Sequence, residues 1–295
     1  MFNTERVPVK VYRWDDAGAP QVMSGDGDIK TILKACLVTG YGENENRKES
    51  LGWEMLFENN NDACFQSKHD KSTKWALGVY GGLNRYGCYV MGLKEPSSER
   101  NAKFKTAQKE FYYSNKYGVI GSNLQWVLVG HERAFVLTIL NSDFATCNGH
   151  LYFGDFPSFL TSDVNNCIMA CTFGYSNDLL GGWLGGVIAN GYKNDGSVDF
   201  GLEFKGKGFQ APPSYPNPVT GGFTADEIFI SESSNGTVLR GLLAGCFYTD
   251  EKMPGNNELR FGTIYSNLDG SRDDWIYTRA SGGRGLLINL TAWEA

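Results

Sequence analysis

Residues 124–140 read LQWVLVGHERAFVLTIL: two apolar runs on either side of the polar turn formed by residues 130–133. Each run is short and rich in β-branched residues, with Gly130 marking the break. They predict the strongest strand pair in the chain. Segments of the same kind recur outward from this pair. On its N-terminal side they are 9–14 (VKVYRW), 53–57, 63–67, 74–80 and 86–93, with GGLNR at 81–85 as a hairpin connection. On its C-terminal side they are 151–153, 168–173, 198–204, 227–231, 238–243, 258–264, 275–278 and 286–290. Residues 96–103 read as a polar loop. The Gly-rich stretch 179–191 (LLGGWLGGVIANG) reads either as a packed loop or as two strands. Thirty-seven glycines and 14% aromatic residues suit short strands joined by tight turns.

One segment has a different period. Residues 27–42 read GDIKTILKACLVTGYG, and Ile29, Ile32, Leu33, Cys36 and Leu37 fall at i, i+3, i+4, i+7 and i+8. That is one apolar stripe of an amphipathic helix, with Lys30 and Lys34 off the stripe. The helix is expected over 27–39, with Asp26 or Asp28 accepting from its first amides and Gly40 as a left-handed cap. So short a helix does not persist alone in water, so it must dock on a sheet. Burying its four large aliphatic side chains is worth roughly 6–12 kcal/mol before entropy is subtracted. The predicted fold class is mainly β, with β-sandwich-like sheets and one short N-terminal amphipathic helix.

Residues 206–222 (GKGFQAPPSYPNPVTGG) carry Pro212, Pro213, Pro216 and Pro218, too dense a set for a sheet interior. The expected organisation is a β-rich lobe over 1–205 containing helix 27–39, a Pro/Gly-rich linker over 206–222, and a β-rich segment over 223–295. That last segment stands alone or packs with the first as one domain.

Composition bounds the function. The net charge of −6 supplies no basic excess of the kind that drives phosphate binding, so no specific nucleic-acid partner is expected. Lys103, Lys105 and Lys109 make at most a local basic face and read as solvated surface. No apolar h-region opens the chain and no run approaches the ~20 apolar residues that span a bilayer, so neither secretion nor membrane insertion is expected. Seven cysteines, an odd number without framework spacing, fit folding in a reducing cytosol. The sequons at Asn235 and Asn289 then mean little.

The search for chemistry finds weak candidates. The histidines are His69, His131 and His150, and there is neither a Gly-x-Ser-x-Gly elbow nor a His-Glu-x-x-His pair. His131-Glu132-Arg133 reads as a surface turn. Cys167 and Cys171 share one face of a strand and read as core. A zinc site would have to recruit the loose Cys147-x-x-His150 pair. Asp250-Glu251 and Asp269, Asp273 and Asp274 resemble glycosidase carboxylates or a calcium loop only loosely, and turn chemistry explains Asp269-Gly270 more simply. GGWLGG lacks the lysine of a phosphate-binding loop. Trp183 and Tyr215 suit stacking on sugars or bases, but packing in a core or subunit interface is the simpler reading. No catalytic, cofactor-binding or metal-binding residue is expected, and no enzyme activity.

A resemblance carries the functional expectation further. KVYRWDDAGAPQVMSGDGDIKTILKACLVTGYG at 10–42, followed by LGWEMLFENNNDACFQS at 51–67, resembles a family of tailed-bacteriophage and prophage structural proteins. The pattern is a strand, an Asp-x-Gly-Ala-Pro turn (Asp16 to Pro20), an amphipathic helix ending in Cys-Leu-Val, a Gly-Tyr-Gly exit and a Gly-Trp strand. Weaker similarity continues through VLVGHERAFVLTIL, YFGDFPSF, YPNPVTGG, LRGLLAGCFYTDEKMPG and the terminal LLINLTAWE. VGHER replaces a more acidic pattern, and Cys246 stands in what is usually a Gly-Pro-like apolar turn. The resemblance implies a structural component of the virion, in the tail, baseplate or neck, assembled in the bacterial host cytoplasm. It would act through self-association as a homo-oligomer and through contacts with other phage virion proteins. A receptor- or glycan-binding module of the same particle is the alternative. The family supplies no catalytic residue to carry over.

Overall fold

The hairpin of Gln125–Gly130 and Ala134–Leu140 lies at the centre of the molecule, in register from Phe135 opposite Gly130 to Leu140 opposite Gln125. The computed structural model describes residues 5–23, 25–82, 87–106, 108–112, 123–140, 149–160, 162–171, 187–188, 191–192, 198–199, 204–206, 225–231, 239–249, 262–279 and 285–294. The hairpin belongs to a central antiparallel sheet in the order Val187–Ile188, Cys167–Cys171, Gly149–Asp155, Ala134–Leu140, Gln125–Gly130, Lys10–Arg13. An outer sheet runs Trp53–Glu58, Ala63–Ser67, Trp75–Tyr80, Gly87–Pro96, Ala102–Lys105, with Lys109–Tyr112 also pairing Gly87–Pro96. A C-terminal sheet runs Phe204–Gly206, Ala225–Ser231, Leu239–Thr249, Gly285–Asn289, Asp274–Arg279, Thr263–Ser266. Arg6–Pro8 pairs with Ala292–Glu294, and Gly191–Tyr192 with Val198–Asp199. The fold is mainly β and sandwich-like, with the central sheet covered on both faces.

That double burial explains the continuous apolar runs of the hairpin, since a strand wet on one face would alternate. Trp126, Leu128, Phe135 and Leu137 join the core shared with the outer sheet and the helix. Val127, Val129, Val136 and Tyr152 join the core shared with Ile228, Ile230, Cys246 and Ile288 of the C-terminal sheet. Trp53 packs edge-on against Phe135 and Phe153, with ring centroids 5.4 and 6.0 Å apart. The second core therefore draws on residues from both sides of segment 206–222. Apart from Gly206, that segment lies outside the described residues, as do Pro212 to Pro218.

The helix runs Asp28–Leu33 as α-helix and continues through Lys34–Thr39 as a π-helix. Ile29, Ile32, Leu33, Cys36 and Leu37 are all buried, as the stripe predicts. Its wider last turns leave the carbonyl of Cys36 to accept from Leu51 N at 2.9 Å. On the polar side Lys30 donates to the carbonyls of Asn59 and Asn60, and Lys34 to the Glu58 carboxylate. The caps differ from expectation. Gly27 is the N-cap at φ 88°, while Asp28 turns backward to accept from Met23 N and Gly25 N, and Asp26 accepts from Gly82 N. Gly40 has a positive φ of 69°, but its ψ of 178° lies outside the left-handed helical region.

The turns flanking the helix interlock. Asp16 Oδ2 accepts from Arg13 N at 2.7 Å, Tyr41 OH at 2.5 Å and Lys48 Nζ at 2.6 Å. Gly18, at φ 77°, lies so close to Gly42 that a Cβ on it would fall 2.8 Å from the Gly42 Cα. The Asp-x-Gly-Ala-Pro turn and the Gly-Tyr-Gly exit are thus two halves of one clamp around the helix.

Three strand expectations need correction. Gly87–Pro96 runs on into the predicted polar loop, and Ala102–Lys105 follows within it: both are hydrogen-bonded through backbone that no side-chain pattern announces. The 238–243 strand extends as Leu239–Thr249, so Cys246 sits buried in mid-strand instead of in a turn. Of the predicted 258–264 strand, 258–261 lie outside the described residues, and 263–264 fall in the strand Thr263–Ser266. Residues 83–85 of the predicted 81–85 connection and most of 179–191 lie outside the described residues.

Candidate functional site

A set of polar side chains, among them His131, Arg133, Asp155, Glu227 and Glu294, lines a cleft at one end of the central sheet. There the hairpin turn 130–133, the loop 156–166, the pair Arg6–Pro8 with Ala292–Glu294, and the strand Ala225–Ser231 meet. They enclose a cleft of about 750 Å³. A smaller cavity of about 320 Å³, lined by Lys10, Leu51, His69, Lys71 and Glu132, shares His131 and Arg133 with it.

The hairpin turn is closed as predicted, with His131 N donating to Ala134 O at 2.9 Å. It is not a surface turn at His131, which is only 6% exposed. The ring packs edge-on against Trp293 at 5.7 Å. Its Nδ1 accepts from Arg133 N at 3.2 Å, which assigns the ring proton to Nε2. Burial, helped by the charges of Arg133 and His69, lowers its pKa to about 4, so the ring is neutral at physiological pH. His69 sits outside, 3.7 Å from Glu132 Oε2.

Asp155, at the end of Gly149–Asp155, accepts from Thr73 Oγ1 at 2.6 Å and Thr73 N at 3.2 Å. This ties the outer sheet to the central one. Burial pushes the carboxyl up to about 6 against the opposing pull of Thr73, Arg133 and Lys94.

Residues 157–159 of loop 156–166 cross to the C-terminal sheet and are held there by one antiparallel bridge. Phe159 N donates to Arg240 O at 2.7 Å, Leu242 N donates to Pro157 O at 3.2 Å, and Ser158 bridges to Gly241. Beneath it, Arg240 donates from Nε and Nη2 to the two oxygens of Asp163, at 2.8 and 2.9 Å. Asp163 also accepts from Ser158 Oγ and Asn165 N, and the guanidinium carbon stands 5.7 Å from the Phe156 ring centroid. Phe156, Phe159, Leu160, Val164, Phe229 and Leu242 form the apolar side of the cleft, while Arg6, Arg133, Glu227 and Glu294 stand on its polar side. This arrangement can seat an apolar group beside carboxylates.

The residues singled out from sequence are scattered. His150 is buried against Thr138 Oγ1 at 3.1 Å, whereas Cys147 lies outside the described residues. Cys167 and Cys171 lie in one core on one strand face, as expected. The six described cysteines are all buried free thiols. Among the described residues no three His, Cys, Asp or Glu side chains gather as metal ligands. Asp273 accepts from Arg6 and Asn289, joining the chain's two ends. Asn267, Asp269 and Gly270 all have positive φ in the expected turn. Asp250, Glu251, Trp183 and Tyr215 lie outside the described residues. Sequence reasoning missed Asp155, Asp163 and Arg240. Asp163 and Arg240 are 77 residues apart, and no spacing rule joins them.

Comparison of the chain with protein-family models gives no match, and a search of curated proteins finds none similar to it.

Proposed function

We propose that the chain is a structural component of a bacteriophage virion, in its tail, baseplate or neck. It acts by self-association and by contacts with other virion proteins, without turnover chemistry, after assembly in the bacterial host cytoplasm. The observation that carries this reading is the apolar rim of the cleft. Leu160 and Val164 are 43% and 69% exposed, yet they stand on a loop pinned by a buried ion pair. A rigid loop that presents large apolar side chains to solvent suits a protein–protein contact. The phage resemblance supports the setting: its opening motif is the clamp of Asp16, Gly18, Tyr41 and Gly42, an architectural device. Deleting the gene from a phage that encodes it tests the proposal. Particles that fail to assemble or to infect are expected, and wild-type infectivity overturns it.

A second reading keeps the same cleft for a host glycan. Phenylalanine rings beside Asp155, Glu227 and Glu294 offer a stacking face and hydroxyl acceptors. Binding on a glycan array, lost on Phe229→Ala, favours this reading over the first.

A further inference from the structure

Six large hydrophobic side chains stand exposed among the described residues: Met23, Phe104, Leu160, Val164, Leu239 and Ile264. Two of them line the cleft and a third stands in register beside them. Leu160 and Val164 line it, and the register that pairs Ser158 with Gly241 brings Leu239, 47% exposed, beside Leu160. Glu227 and Glu294 line the same cleft and have no ion pair among the described residues. Of the arginines that line it, Arg6 is held by Asp273, and Arg133 has no ion pair among the described residues. The surface is apolar with an acidic margin.

A complementary feature stands on the edge strand of the outer sheet. Ala102–Lys105 reads AKFK, with Phe104 53% exposed and a lysine on each side. Lys103 Nζ lies 5.4 Å from the Phe104 ring centroid and 3.1 Å from Glu95, while Lys105 has no ion pair among the described residues. Edge lysines oppose strand-to-strand extension of the sheet, so this edge meets a partner through side chains. Lys103 and Lys105 share the strand face opposite Phe104, yet Lys103 Nζ reaches back to 5.4 Å from the ring, so this edge offers an aromatic ring beside cationic charge to an apolar cleft beside carboxylates.

We propose that Phe104 of one copy seats in the cleft of a second copy, against Leu160, Val164 and Phe229. Lys103 and Lys105 then face Glu227 and Glu294. The inference deepens the reading of the chain as a self-associating structural subunit and takes its biological setting from it. The contact itself is a property of the isolated chain. It joins two different surface features, so it closes as a two-fold pair when made reciprocally and as a ring or filament when made head to tail.

Sedimentation velocity of the full chain over a concentration series tests it. The wild type should associate, and association should weaken as salt rises. Phe104→Asp should weaken association by about tenfold or more, as should the double variant Leu160→Asp with Val164→Asp. These side chains are exposed, so far-UV circular dichroism and thermal melts should stay close to wild type, and Phe104→Ser serves should the aspartate variant fold poorly. Mixing the Phe104 variant with the cleft variant should restore a 1:1 complex, because each supplies the half the other lacks. Glu227→Lys with Glu294→Lys should weaken association, and Lys103→Glu with Lys105→Glu in the mixed partner should recover it. A wild type that stays monomeric overturns the inference, and so does association that these variants leave unchanged. Either result leaves the virion reading to stand or fall on the gene-deletion experiment.

Discussion

Arg240 and Asp163 meet through two parallel hydrogen bonds of 2.8 and 2.9 Å, with both side chains almost wholly removed from solvent. The pair joins the loop after the central sheet to the C-terminal sheet, and so holds the rim of the cleft in one shape. Breaking a buried pair leaves the surviving charge without its partner, which costs about 3–5 kcal/mol. Arg240→Met and Asp163→Leu should each lower stability in chemical denaturation by that order. The double variant should recover much of the loss, and hydrogen exchange in 156–166 should accelerate in the single variants. Equal exchange in wild type and variants would show that other contacts hold the loop.

The clamp around the helix makes a second prediction. Tyr41→Phe removes the hydroxyl that donates to Asp16 and should cost about 1.5–3 kcal/mol, the range for a hydrogen bond to a charged group. Gly18→Ala should cost more. Its new Cβ meets the Gly42 backbone, and its φ of 77° disfavours any side chain. Thermal denaturation compares the two, and a neutral Gly18→Ala variant would contradict the interlock.

The helix stripe makes a third. Leu33 is fully buried between the central and outer sheets. Leu33→Asp places an unpaired carboxylate there and should destabilise the fold by on the order of several kcal/mol. Unchanged thermal stability would mean that the helix does not dock as described.

Two buried groups that line the cleft, Asp155 and His131, shift in opposite directions. The Asp155 carboxyl rises from 3.8 to about 6 on folding, so the folded chain holds that proton more tightly. Its contribution is present below the unfolded value and is lost as pH rises through 6. His131 falls from 6.5 to about 4, so its contribution is present above 6.5 and is lost as pH falls toward 4. Each effect is on the order of 2–3 kcal/mol, and the two nearly cancel over one window. Asp155 faces Thr73, Arg133 and Lys94, and His131 faces Arg133, His69 and Trp293, so the two groups share one cation, Arg133. Asp155→Asn should make stability climb with pH between 4 and 6.5, and His131→Gln should make it decline. Wild-type pH profiles in both variants would refute the burial of these groups.

How much was legible in the sequence follows from how far apart the interacting residues lie. The helix stripe of Ile29 to Leu37 and the strand hairpin are local periodicities, and both appear in the fold. The helix caps were misread because Asp28 prefers the amides of Met23 and Gly25, a choice made by the preceding turn and invisible to a capping rule. His131 was read as exposed from its polar neighbours. Trp293, 162 positions along the chain (293 less 131), buries it. The cleft itself could not be read, because its floor pairs 157–159 with 240–242 and its wall pairs Arg6–Pro8 with Ala292–Glu294. Such long-range pairings leave no mark in composition or spacing.

The central claim is that this chain is an architectural part of a virion. Cryo-electron microscopy of assembled particles from a phage encoding it tests that claim most directly. The account predicts density in the tail, baseplate or neck that fits three stacked sheets with the Asp28–Leu33 helix between the outer and central layers, repeated by symmetry. Particles that lack the chain while remaining infectious would contradict it.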